Sequence, residues 1–307
     1  MRKFALIIFI LLLINAPCSW AEPLKEFFSP SAVEISKAVA SVPLDYQSDV
    51  LSALKKSGKN GWQLIHAIKA VDPQEREGLA FLVANMPDRD LRALKSAFIL
   101  ENLRLAYRVM NETSWGKDIP QAIFLNNILP YATLNERRDN WRRDFYQRFI
   151  KIALESKTID RAVIALNKYV FDTLQVSYNA TKRPKPDQSP YESIKAHYAS
   201  CTGLSILLTN ALRSVGIPAR IAAIPMWADN SGNHTWVEIW DGEWHYTGAA
   251  EPAQLDHAWF TVKASQTDAH HPIFASSFKK TSLSFPMRWA PRLLYVPAVD
   301  VTEDYKK

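Results

Sequence analysis

In Ser200-Cys201-Thr202-Gly203-Leu204-Ser205-Ile206-Leu207-Leu208-Thr209-Asn210-Ala211-Leu212-Arg213-Ser214-Val215-Gly216-Ile217-Pro218-Ala219-Arg220, apolar residues recur at helical steps. Leu204, Leu207, Leu208, Ala211, Leu212 and Val215 make one stripe, which predicts a helix opening at Cys201. Gly216 stops it and Pro218 prevents its continuation. Ala219 to Ile224 reads as a strand, and so does Thr235 to Trp240. Asp241-Gly242 is a hairpin turn leading into Trp244-His245-Tyr246. Helix, strand and hairpin in that order predict an α+β core with an antiparallel sheet.

Cys201 is the chemically informative residue of this segment. A thiol at the start of a helix faces unpaired amides and the positive dipole end, so the position is expected to favour thiolate. Free cysteine is also among the most buried residue types, and the bland alternative is a small core side chain.

The cysteine-headed helix ending in Leu212-Arg213-Ser214-Val215-Gly216-Ile217-Pro218-Ala219-Arg220 has a second motif downstream. It is His234-Thr235-Trp236-Val237-Glu238-Ile239-Trp240-Asp241-Gly242, followed by Trp244. Together they resemble the transglutaminase-like superfamily, whose core is related to papain-type cysteine proteases. The resemblance runs from about residue 157 to 262 and includes the upstream segment ending at Tyr178. It implies that Cys201 is a nucleophile and that His234, at the start of a strand, accepts its proton or pairs with the thiolate. The family usually places an Asp four residues after the tryptophan of the second hairpin strand. Here that position is Gly248, and Glu251-Pro252 follows three residues later. Glu251 then reads either as the displaced acid or as a surface residue at a strand exit. Asp241 sits at a hairpin tip, which normally points to solvent. An oxyanion hole would use the Cys201 amide plus another donor, with Gln188 in the preceding polar loop as one candidate.

The amino terminus bears on the thiol. Arg2 and Lys3 precede an apolar run from Phe4 to Ile14, followed by Ser19-Trp20-Ala21, the arrangement of a secretory signal peptide. Eleven apolar residues fall short of the roughly 20 that span a bilayer. Cleavage after Ala21 removes Cys18 and two basic residues, taking the net charge from +6 to +4 and leaving Cys201 as the one cysteine. Retention of a single thiol in an exported, periplasmic or secreted chain asks for a reason. A disulfide scaffold and a four-thiolate zinc site are excluded by the same count.

Across its 307 residues the chain is 48% apolar and 22% charged, a globular balance that excludes a largely disordered one. Four regions are expected: residues 1–21 as leader, 22–156 as a helical domain, 157–262 as the transglutaminase-like core and 263–307 as a C-terminal extension that wraps back on the core. Within the helical region, Ser29-Pro30 reads as a helix cap and Asp72-Pro73 as another start. One long helix is expected from about Asp88 to Met110. Glu136 to Arg148 carries five arginines interleaved with Glu136, Asp139 and Asp144, and reads as a solvated helix surface in preference to an anion-binding face. No nucleic-acid partner is expected. No cofactor is implied, since His270-His271 has no third ligand at suitable spacing and no acidic loop has calcium-binding density. Trp236, Trp240 and Trp244 alternate on strands and divide between core and exposed face.

Two functions remain open at this level. One is a thiol enzyme acting on amide bonds of a protein, peptide or cell-wall peptide, by hydrolysis or by transfer to an amine. The other is a non-catalytic binding or scaffold module whose triad has degenerated.

Overall fold

In the computed structural model, residues 28–306 are described, so the leader and Cys18 lie outside the described residues. The chain divides into two compact units, one reaching Ile99 and the other beginning at Leu100.

The first unit is helical. Helix α1 (Ala32–Val39) starts two residues later than Ser29-Pro30 suggested. Ser31 is its cap: Ser31 Oγ accepts from the Glu34 amide at 3.3 Å, and Glu34 Oε2 accepts from the Ser31 amide at 2.8 Å. This reciprocal capping box satisfies two helix-end amides at once, which fixes the start at Ser31. Helices α2 (Gln47–Lys56), α3 (Gly61–Ala70) and α4 (Arg76–Asn85) follow. The single helix expected from Asp88 is two, α5 (Asp88–Leu91) and α6 (Ser96–Glu112). The break is bonded by residues distant in sequence. Asn60 Nδ2 donates to the carbonyls of Leu91 and Leu94, both at 2.9 Å, and Gln63 Oε1 accepts from the Ser96 amide at 3.0 Å. Those side chains replace the helical bonds that continuation would have made.

The second unit continues through α7 (Gln121–Asn127), α8 (Arg142–Glu155) and α9 (Ile159–Leu174). Strand β1 (Ser177–Tyr178) pairs in parallel with β2 (Tyr198–Ala199), and the short helix α10 (Pro190–Ala196) lies between them in the chain. Sequence reasoning passed over α10. Its signal is Ser189-Pro190-Tyr191-Glu192, in which Ser189 and Glu192 form a capping box and Pro190 occupies the first turn. Helix α11 (Cys201–Ser214) opens at the expected residue and ends before Gly216, which is left-handed with φ +78°.

Six antiparallel strands form the main sheet in the order β5-β4-β3-β6-β8-β7. They are β3 (Ala219–Ile224), β4 (His234–Trp240), β5 (Trp244–Thr247), β6 (Phe274–Ser276), β7 (Leu283–Ser284) and β8 (Pro297–Asp300). All of β3 is buried, and its period-two alternation serves both faces. Ile221 and Ala223 join Ile206 of α11, Phe285 and Met287 on one side. Ala222 and Ile224 join Trp236, Phe260, Ala275, Val301 and Tyr305 on the other. Residues beyond 263 thus supply three strands of this sheet and part of both clusters. The model is α+β, with helices first and an antiparallel sheet after, as the sequence predicted.

Of the charged stretch 136–148, Arg143 and Arg148 pair at the surface of α8 as expected, with Glu101 and Asp144. Glu136 and Asp139 precede the helix, are buried, and pair with Arg138 and Arg137, so this part is not the solvated helix face that was expected. Arg142 is fully buried. Its guanidinium donates to the carbonyls of Ile128, Leu129, Pro130 and Arg213 and to Asn102 Oδ1. It therefore ties the start of α8 to the carbonyls of a turn and of the α11 C-terminus.

Candidate active site

The approach of α11 to β4 begins with small residues. A Cβ at Gly203 would lie 2.9 Å from Ala199 Cβ, so only glycine lets the first turn seat against the segment that precedes it. Ser200 caps the helix, accepting from the Gly203 amide and donating to Pro186 O. Thr202 and Thr235 hydroxyls hydrogen-bond at 3.1 Å, and Ser205 donates to Thr235 O at 3.3 Å. These contacts hold Cys201, the first residue of α11, beside His234, the first residue of β4.

Cys201, His234 and Glu251 line one pocket of about 280 Å³, together with Tyr178, Leu204, Thr235, Ala249, Ala250 and Trp259. Cys201 is a free, half-buried thiol. Burial pushes its pKa up, although hydrogen bonds from the amides and hydroxyls of Thr235 and Thr202 favour the thiolate. Desolvation here opposes the helix end that the sequence takes to favour the thiolate.

Burial also acts on His234 and pushes its imidazole down to about 4. Four aromatic rings surround it: Phe260 at 4.9 Å, Trp259 edge-on at 4.8 Å, Trp236 at 5.8 Å and Trp227 stacked at 6.4 Å between centroids. Nε2 is buried with no hydrogen-bond partner among the described residues. Packing, not a carboxylate, sets the ring's orientation. The motif did not announce this box, because Trp227, Trp259 and Phe260 come from loops flanking the strands.

Glu251 reaches the pocket through an unusual turn. The Glu251 amide donates to Gly248 O at 3.2 Å, and Ala250 inside the turn is left-handed with φ +64°. A residue with a side chain adopts that conformation at a cost. Asn167 of α9 braces it: Oδ1 accepts from the Ala250 amide at 2.9 Å, while Nδ2 donates to Thr247 Oγ1 and to the carbonyls of Gly248 and Glu251. The Glu251 carboxyl folds back over Gly248, where an added Cβ would lie 2.7 Å from Glu251 Cδ and nearer still to Oε2. Burial pushes this carboxyl up.

The remaining candidates fall elsewhere. Gln188 is fully buried, with Nε2 donating to Tyr198 O at 2.9 Å, and it does not line the pocket. Asp241 is exposed at the hairpin tip. Trp236 is core, and the aromatic residues at the pocket rim are Tyr178 and Trp259, 62% and 57% exposed. His245, not His234, carries an imidazole–carboxylate contact, with Asp256 at 2.6 Å, and lines a different pocket. Among the described residues no group of three or more His, Cys, Asp or Glu side chains is arranged to hold a metal ion. No described helix is long and apolar enough to cross a membrane.

Residues 148–263 match the family model of the transglutaminase-like superfamily. The crystal structure of a candidate cysteine protease from Cytophaga hutchinsonii is similar at 18% identity and a TM-score of 0.35. That similarity covers 62% of this chain and 60% of the other, so the chain spans less than two thirds of the solved protein. No curated protein gives a match.

Proposed function

This chain carries a transglutaminase-like core over residues 148–263, and from that premise we propose that it is a thiol enzyme acting on amide bonds through Cys201 and His234. The reading rests on one observation above the others: nucleophile, base and acid candidates from α11, β4 and the β5 exit line a single pocket. Thiol and imidazole are both neutral at rest, so the proton passes from sulfur to His234 as sulfur attacks the substrate carbonyl. The tetrahedral oxygen takes up the Cys201 amide, which has no intrahelical partner at a helix start. Collapse expels the amine with the proton from His234 and leaves a thioester. Water or a second amine then releases the acyl group, giving protease or amidase action in one case and transamidation in the other. Glu251 is the supporting acid. The substrate is a protein, a peptide or a cell-wall peptide, met outside the cytoplasm after export.

A binding-only role has one observation in its favour, namely that no carboxylate is bonded to His234. The two readings separate in a mass-spectrometric search for a hydroxylamine-labile acyl adduct on Cys201 after exposure to peptide amides. An enzyme forms the adduct, Cys201→Ala abolishes it, and His234→Ala slows it by about 10²–10⁴-fold. Adding a primary amine distinguishes transfer from hydrolysis. Equal adduct formation in the His234 variant would remove the base from the mechanism.

A further inference from the structure

We propose that the β7–β8 hairpin is a surface on which this protein rests against a bilayer containing anionic phospholipid. The inference does not use the chemistry at Cys201 and would stand if that reading failed.

The sequence supplies the first observation. From Ala269 to Val299 there is no Asp or Glu, while Lys279, Lys280, Arg288 and Arg292 bring four positive charges. The fold supplies the second, because it gathers apolar side chains into the same hairpin and leaves them in solvent. Leu283 pairs with Ala298 and Ser284 with Pro297, so β7 is one edge of the sheet and residues 285–296 are the hairpin loop. Ser284 Oγ donates to Leu294 O at 2.9 Å, and the Phe285 amide donates to Val296 O at 2.8 Å. These bonds bring Leu293 and Leu294 back toward Leu283. Phe285, Met287 and Val296 are buried in the cluster that holds Ile206 and Ile221, so the hairpin is anchored from within. Its remaining large aliphatic residues do not join that core: Leu283, Leu293 and Leu294 are exposed, the last by 70%.

The four cations are exposed as well. Arg288 donates to Pro225 O, and Lys279 and Arg292 form no ion pair among the described residues. Asp300, at the far end of β8, is turned onto Thr302. Asp187 is linked to the hairpin through Asn135, which bonds both that carboxylate and the Trp289 indole. A bilayer answers both halves of this surface. Headgroup phosphates take lysine and arginine, and aliphatic side chains enter the acyl boundary beneath them. A nucleic acid or an acidic glycan has no apolar layer to receive three leucines. A second copy docked face to face would set the same four cations against each other.

The test is co-sedimentation of the full chain with vesicles of phosphatidylcholine alone and of an equal mixture with phosphatidylglycerol. Wild type and variants share one amino terminus, so differences among them report on the hairpin. Wild type is expected to bind the mixed vesicles more tightly, and most tightly at low salt. Lys279→Ala and Arg292→Ala should each weaken that binding about fivefold, the effect of one cation at an anionic surface. Leu294→Ser, whose exposure spares the core, should weaken it about tenfold. Vesicle binding indifferent to all three substitutions would overturn the proposal. So would loss in the charge variants alone, with polyphosphate competing equally well against wild type and Leu294→Ser, since that assigns the face to a soluble polyanion. A dimer abolished by Leu294→Ser, in a chain that binds neither vesicle, would assign it to a second copy and overturn the proposal too.

Discussion

His234 shows how one residue's surroundings set both stability and chemistry. Its imidazole is pushed from 6.5 to about 4 by burial among aromatic rings. Between those values the unfolded chain binds a proton that the folded chain does not. Stability therefore rises with pH across this window and is lost as pH falls through it. Urea midpoints measured from pH 7 down to pH 4 should show wild type losing about 1–3 kcal/mol more than His234→Asn, which cannot titrate. A matching slope in the two proteins would mean that the ring is already hydrated. The same neutrality suits a base that must be unprotonated when sulfur attacks. Cys201 was legible as the head of a patterned helix, and His234 through the resemblance of its motif to the transglutaminase-like superfamily. Glu251 was legible as an acid near the site. Its fold back over Gly248 was not, since neither spacing nor residue type encodes how a left-handed turn aims a side chain.

At the scale of elements, the N-terminal end of α8 is held by a buried guanidinium whose hydrogen-bond partners are neutral oxygens. Arg142 satisfies four carbonyls from a turn and from the end of α11, where a positive group also complements the helix dipole. Arg142→Ala should cost about 3–5 kcal/mol in urea unfolding by orphaning those acceptors. Arg142→Lys should recover only part of this, because an ammonium has three donors and no fork. Arg143→Ala, at the exposed surface, should fall within about 1 kcal/mol of wild type. Within the sequence all these arginines look alike, spaced among acids on one helix. What singles out Arg142 is the carbonyls it meets, including one 71 residues away. The broken helix at Arg92–Lys95 has the same origin, since Asn60 and Gln63 supply its closing bonds from an earlier helix region.

For the whole molecule, the family-matched segment and the folded core do not coincide. Residues 148–263 contain β3, β4 and β5 but none of the strands on the other side of β3. A fragment restricted to them would open the β3 edge and strip Ala275, Val301 and Tyr305 from one face and Phe285 and Met287 from the other. It should bind a hydrophobic dye and unfold without a cooperative transition, while residues 100–307 remain cooperative in the same calorimetric scan. Tyr305 matters most to the site's surroundings: it accepts from the Trp236 indole and donates to Glu238, which is in turn paired with Arg220.

The α11 helix, the β3–β5 strands and the hairpin turn were determined by the sequence alone, because apolar period, stop signals and turn chemistry act within a few residues; the two catalytic candidates came from the resemblance of their motifs to a known family. The tertiary structure decided the desolvation of the thiol and imidazole, the aromatic box, the aim of Glu251 and the far half of the sheet. Each of these depends on desolvation or on a hydrogen bond between segments remote in the chain, and such terms exist only once the chain has packed.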